Sequence, residues 1–142
     1  MDSINLVPAT HEEAEHIAAE LRSFNGIRVP SLRFEPIWLA AKDAEGRLVG
    51  GVVGEVYLNW LEIGVLWVDE AWRQTGLGGR LLKAAEQAAL DKGAESAFLD
   101  TFAWQAEGFY RHHGYEEFGR LEDFPVGSAR VFLRKTQISK PR

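Results

Sequence analysis

The sequence predicts a mixed α/β fold. Short apolar, strand-like runs alternate with segments of helical spacing. The chain has 142 residues, 46% of them hydrophobic, enough for one core. One helix opens on glycines directly after a strand-like run. No repeat, low-complexity tract or interdomain linker interrupts the pattern, so residues 1–142 read as a single domain with a loose tail over 136–142.

The segment INLVPA (4–9) reads as a first strand. Thr10 and Glu13 form the T-x-x-E of a capping box. Ala14, Ile17, Ala18 and Leu21 follow at helical spacing, and Asn25-Gly26 is expected to stop that helix. IRVPSLRFEP, with two prolines and no period, reads as a loop or a short irregular helix. IWLAAK (37–42), LVGGVVGEVYL (48–58) and LEIGVLWV (61–68) are strand-like, with DAEGR and NW as turns between them. The glycines in the second run point to a bulge or a close backbone approach. Leu77, Leu81, Ala84, Ala85 and Ala88 then mark one face of a helix that Lys92-Gly93 ends. SAFLD (96–100) is a strand, AWQAEGFYRHHG (103–114) a short helix closed by Gly114, and YEEFGRL and SARVFLRK a hairpin around EDFPVG.

The net charge of -5 provides no basic field for nucleic acid or an acidic membrane and leans toward a neutral or cationic partner. The absence of cysteine excludes disulfides, thiolate metal sites and a cysteine nucleophile. No apolar h-region and no run near the roughly 20 residues of a membrane span is present. A cytoplasmic protein is expected, and a homodimer is left open.

The glycines of RQTGLGGRLL weaken a helix start, so a bare backbone must be needed there. The first N–H groups of a helix lack internal partners and lie at the positive end of its dipole, which suits a phosphate. Arg73 and Arg80 flank the turn. A phosphate-binding loop of the Walker type needs Lys-Ser/Thr after the last glycine, where Arg80-Leu81 stands. A dinucleotide fingerprint needs glycine at position 81, and no early βαβ unit precedes it.

Together with its neighbours, LWVDEAWRQTGLGGRLL resembles the coenzyme A-binding signature of the GNAT acyltransferase superfamily, Arg/Gln-x-x-Gly-x-Gly/Ala after an apolar strand. Arg73, Gly76 and Gly78 fill its fixed positions. AEGFYRHHGY resembles a second family element, A-x-x-x-Y-x-x-x-G-Y/F, through Ala106, Tyr110, Gly114 and Tyr115. The resemblance covers nearly the whole chain. It implies a mixed, mostly antiparallel, twisted sheet that splays between its fourth and fifth strands and is flanked by helices. It further implies acetyl-CoA in the gap, with its pantetheine arm along Leu66, Trp67 and Val68. Its pyrophosphate would lie on the turn of Arg73, Gln74, Thr75, Gly76, Leu77, Gly78 and Gly79. Many relatives carry an asparagine where this chain has Ala103, and Gln105 is the nearby substitute.

Acetyl transfer to an amine needs a base, carbonyl stabilisation and a proton for the leaving thiolate. Glu62, the only charged residue between Val56 and Val68, is the candidate base. On alternation it shares a face with Gly64, Leu66 and Val68; the plainer alternative is a carboxylate facing water beside a hairpin turn. Tyr110 is the candidate acid, the plainer alternative being core packing beside Phe109. His112 and His113 suit a helix C-terminus rather than a metal pair. His11 and His16 show no acidic or histidine partner at ligand spacing, so no metal is expected. Trp67 is expected in the core, with one or two of Trp38, Trp60, Trp72 and Trp104 walling an acceptor pocket. The expected activity is acetyl transfer to a small, cationic primary amine. The rivals are another acyl donor, a hydroxyl acceptor, or a non-catalytic acetyl-CoA-binding module.

Overall fold

The computed structural model describes residues 3–29 and 34–138. The chain divides into two compact units, Met1–Leu32 and Arg33–Arg142.

In the first unit, helix α1 (His11–Arg28) begins on the expected capping box. Thr10 N–H donates to the Glu13 carboxylate at 2.9 Å, and Glu13 N–H donates to the Thr10 hydroxyl at 3.1 Å. The helix does not stop at Asn25-Gly26. A terminating glycine turns left-handed; Gly26 does not, and the helix runs on to Arg28. Residues 4–9 form no strand, because an apolar run without a partner has no ladder to join. His11 and His16 do have acidic partners one turn on, Glu15 at 2.9 Å and Glu20 at 3.6 Å.

The second unit is one six-stranded sheet with helices α2 (Leu77–Asp91) and α3 (Glu107–His112). Its strands are β1 (Phe34–Lys42), β2 (Leu48–Tyr57), β3 (Trp60–Val68), β4 (Ser96–Phe102), β5 (Glu116–Glu122) and β6 (Ala129–Lys135). The order is β1-β2-β3-β4-β6-β5, antiparallel throughout except for the parallel pair β3–β4. The family's fourth and fifth strands are therefore β3 and β4 here. Phe34–Pro36, expected in a loop, extend β1. Pro36 is tolerated because an edge strand does not need every N–H for a ladder; residues 30–33 of that stretch lie outside the described residues.

The core lies between the sheet and α2. Leu61, Leu82, Leu99, Leu133, Val52, Val56 and Val131 are fully buried in it. The buried face of α2 is Leu77, Leu81, Leu82, Ala85, Glu86 and Ala89, while Ala84 is exposed and Ala88 only half-buried. Small, neutral alanines gave a misleading stripe, because an alanine costs little on either face. Glu86 is buried because Tyr115 OH donates to it at 2.7 Å and Lys135 Nζ at 3.0 Å. The tail expected to be loose from 136 still docks at Ile138, which is buried and donates its N–H to Glu95 O at 3.0 Å; residues 139–142 lie outside the described residues. Helix α3 is shorter than predicted, since residues 103–106 form a turn before it.

Candidate functional site

Three rungs join β3 to β4: Trp60 with Ser96, Leu61 with Ala97, and Glu62 with Phe98. Past them β3 continues to Val68 and β4 to Phe102 without pairing to each other, so the sheet splits. The backbone of β3 from Ile63 onward has no ladder on its β4 side, where every N–H and C=O is a group to be satisfied. A cavity of about 1000 Å³ opens there. Leu66, Trp67, Val68, Arg73, Gln74, Gly76, Gly78 and Gly79 line it from one side, and Gln105 and Tyr110 from the other. The structure thus gathers most of the expected site residues around one space.

The N-terminus of α2 forms the charged end of that space. Gly76 is its N-cap at φ 86°, and no side chain caps the helix. The first back-bonded amide is Arg80 N–H, to Gly76 O at 3.1 Å. The N–H groups of Leu77, Gly78 and Gly79 precede it and have no helical partner. The dipole's positive end adds to their pull on an anion. Each glycine also has a reason inside the protein. Gly76 is left-handed, and a Cβ on Gly78 would meet the Phe109 ring at 3.3 Å. A Cβ on Gly79 would meet His113 Cε1 at 2.9 Å. The room the glycines make is therefore also room for α3. Thr75 and Leu77 do not line the cavity: the Thr75 hydroxyl donates to Trp72 O, and Leu77 is buried in the core. Arg73 Nε donates to Val68 O at 3.2 Å and so ties the turn to the end of β3.

Tyr110 projects from α3, which has only six residues and cannot hold itself. Gly114, at φ 93°, reverses the chain behind it, and Tyr115 N–H donates to Tyr110 O at 3.0 Å. Arg111 pairs with Glu107 at 2.7 Å and with Glu117 of β5 at 2.9 Å, and Arg120 pairs with Glu117 at 2.9 Å. Tyr110 is only 6% exposed and packs edge-on against Phe109 and Tyr115, yet it reaches the cavity wall. Packing and cavity lining are both true of it. Burial pushes its phenol up to about 12, so it stays protonated across the physiological range.

Glu62 is placed differently. It lines a second cavity of about 400 Å³ with Tyr57, Trp60 and Phe98, apart from the one Tyr110 lines. Its expected face partners are also corrected. Gly54 pairs with Ile63 and Val53 with Val65, so Gly64 is the extra residue of a bulge. That slip reverses the alternation beyond it. Leu66 and Val68, opposite Val52 and Gly50, lie on the face of the core, while Glu62 shares its face with Val65 and Trp67. Burial, then Glu55 opposite it and Asp100 on β4, raises the Glu62 carboxyl above the usual range.

Trp67, expected in the core, is exposed, and none of the five tryptophans is buried. Trp67, Trp72 and Trp104 line the large cavity. His113 packs against Phe109 and Gly79 rather than facing water alone. Gln105 stands where the substitute for the missing asparagine was sought: its side-chain oxygen accepts from Phe102 N–H at 2.8 Å, which leaves its amide nitrogen for the cavity. Phe109 and His113 were not read as lining residues, because only the packing of α3 on α2 brings them there. Among the described residues no group of three or more His, Asp or Glu could hold a metal ion, and no helix is long and apolar enough to cross a membrane.

A split sheet beside a glycine-started helix that faces a buried tyrosine defines the class of acyl-CoA-dependent acyltransferases. Residues 33–117 match the acetyltransferase (GNAT) domain, and the chain belongs to that family. Blasticidin-S acetyltransferase of Streptomyces morookaense is 38% identical over 112 residues, covering 76% of this chain and 82% of that protein. An acetyltransferase of Agrobacterium fabrum is 28% identical over 127 residues, 89% of this chain and 93% of the relative. The crystal structure of an acetyltransferase from Bacillus cereus superposes with a TM-score of 0.88 at 36% identity, over 94% of this chain and 97% of that one.

Proposed function

We propose that this protein transfers the acetyl group of acetyl-CoA directly to the primary amine of a small cationic acceptor, in the cytoplasm. The observation that carries this reading is the split between β3 and β4, with one cavity running from the free amides of α2 to the Tyr110 phenol. The residues fit the cosubstrate: amides for its pyrophosphate, an unpaired strand edge for its amide-bearing arm, and a donor at the far wall. Acetyl-CoA would supply the activated acetyl group. Leu66, Trp67 and Val68 would hold its arm by backbone pairing. Gln105 would add an amide donor, and Leu77, Gly78 and Gly79 N–H groups would hold its phosphates.

Tyr110 would keep its proton at the phenol oxygen until the departing sulfur needs it. A phenol near 12 is a weak acid against a free thiol near 8.5. The same dry wall raises a buried thiol as well, which offsets part of that difference. Glu62 would accept the amine's proton through water, since it lines a neighbouring space rather than the Tyr110 cavity. Its raised carboxyl is the better base for that displacement. The net charge of -5 favours a cationic acceptor and disfavours nucleic acid.

The test is release of free coenzyme A thiol from acetyl-CoA against a panel of amines. Blasticidin S heads the panel, because a relative bears its name. Thiol release that depends on an amine, with the acetylated amine recovered, is the expected result. Acetyl-CoA binding without transfer to any amine would make the protein a binding module.

A further inference from the structure

Trp104 is 61% exposed but is held firmly. Its ring stacks on Phe102, centroids 4.6 Å apart and planes 3° from parallel. The turn that carries it is pinned. Gln105 N–H donates to Phe102 O at 2.9 Å, and Ala103 N–H donates to Ala129 O at 2.9 Å. Phe102 N–H and the buried Thr101 hydroxyl donate to the Gln105 side-chain oxygen at 2.8 and 3.0 Å. So much fixing for an indole left largely in water calls for a use. Trp104 contributes to the wall of the cavity that Tyr110 lines.

The same aromatic cluster already holds one planar cation. The Arg130 guanidinium lies 6.0 Å from the Phe102 ring centre and 5.2 Å from that of Phe124, and Asp100 neutralises it at 2.7 Å. Trp104 stacks on the Phe102 ring of this cluster and lines the cavity. A guanidinium is flat and weakly hydrated, so it stacks on an indole at a smaller desolvation cost than an ammonium ion of the same charge. We propose that Trp104 determines acceptor specificity by stacking a guanidinium or similarly flat cationic group carried by the amine substrate. This inference rests on the reading of the cavity as a transferase site.

The test compares agmatine with 1,5-diaminopentane, which both carry a primary amine but differ in a guanidinium against an ammonium. Binding to the coenzyme A-loaded protein is measured by titration calorimetry for the parent, Trp104→Ala and Trp104→Phe. The parent should prefer agmatine about twofold to fivefold. Trp104→Ala should lose that preference, and Trp104→Phe should keep part of it. Affinity for coenzyme A and for the diamine should stay unchanged. No preference in the parent, or a preference that survives in Trp104→Ala, overturns the proposal. So does an equal loss of coenzyme A affinity in Trp104→Ala, which would assign the ring to the cosubstrate. Thiol release is followed separately. Its absence with every amine would defeat the transferase reading, while the binding comparison still decides the role of Trp104.

Discussion

Gly79 tests what the glycines at the start of α2 are for. A methyl group there would stand 2.9 Å from His113 Cε1 and 3.2 Å from Nε2. Moving the His113 ring aside would give up its packing on Phe109, at 4.6 Å between centroids. Overpacking of this kind costs about 1–3 kcal/mol. Alanine in place of a helical glycine returns up to about 1 kcal/mol. Gly79→Ala should therefore lower stability by up to about 2 kcal/mol. In a His113→Ala background the obstacle is gone and the propensity gain remains. The same change should then raise stability by a few tenths to about 1 kcal/mol. The sign reverses, and the coupling in the cycle is about 1–3 kcal/mol. Urea unfolding of the four proteins measures it, with equal m-values as the check that only stability changed. An equal cost in both backgrounds would refute the steric reasoning. Unchanged stability with loss of coenzyme A binding alone would assign Gly79 to the ligand instead.

Tyr110→Phe keeps the packed ring and removes its proton. Turnover should fall on the order of 100-fold or more while acetyl-CoA affinity holds, and unchanged single-turnover chemistry would exclude the phenol. Glu62→Gln should depress activity most at neutral pH and recover part of it at high pH, where the amine is already deprotonated; parallel pH–rate profiles would exclude Glu62 as base. The same variant tests the raised carboxyl. A folded-state pKa above the unfolded value means that stability is lost as pH rises through that interval. Glu62→Gln should thus melt higher than the parent at pH 7 and no higher near pH 3. Glu86→Ala leaves the Lys135 ammonium, whose side chain is only 11% exposed, without its carboxylate and should cost up to about 3 kcal/mol, read by chemical denaturation. A loss below about 1 kcal/mol would show that Lys135 finds water or another partner.

The capping box at Thr10 and Glu13, the glycine turn, the strands from Ile37 onward and the Tyr110 motif were legible in the sequence. Each is a local rule: a side chain reaching its own helix end, a backbone angle, an alternating run. The sequence also shows that the chain lacks cysteine and carries a net charge of -5, which narrows the chemistry before any fold is known. Only the tertiary structure decided the rest. Residues 4–9 look like a strand and are none, because pairing depends on an edge elsewhere. Gly64 looks like one more strand residue, yet as a bulge it moves Leu66 and Val68 to the opposite face from Glu62. Whether Gly78 and Gly79 are bare for a ligand or for α3 depends on Phe109 and His113, about thirty residues away. The cavity itself exists because β3 and β4 part after three rungs, and a gap between two strands belongs to neither strand's sequence.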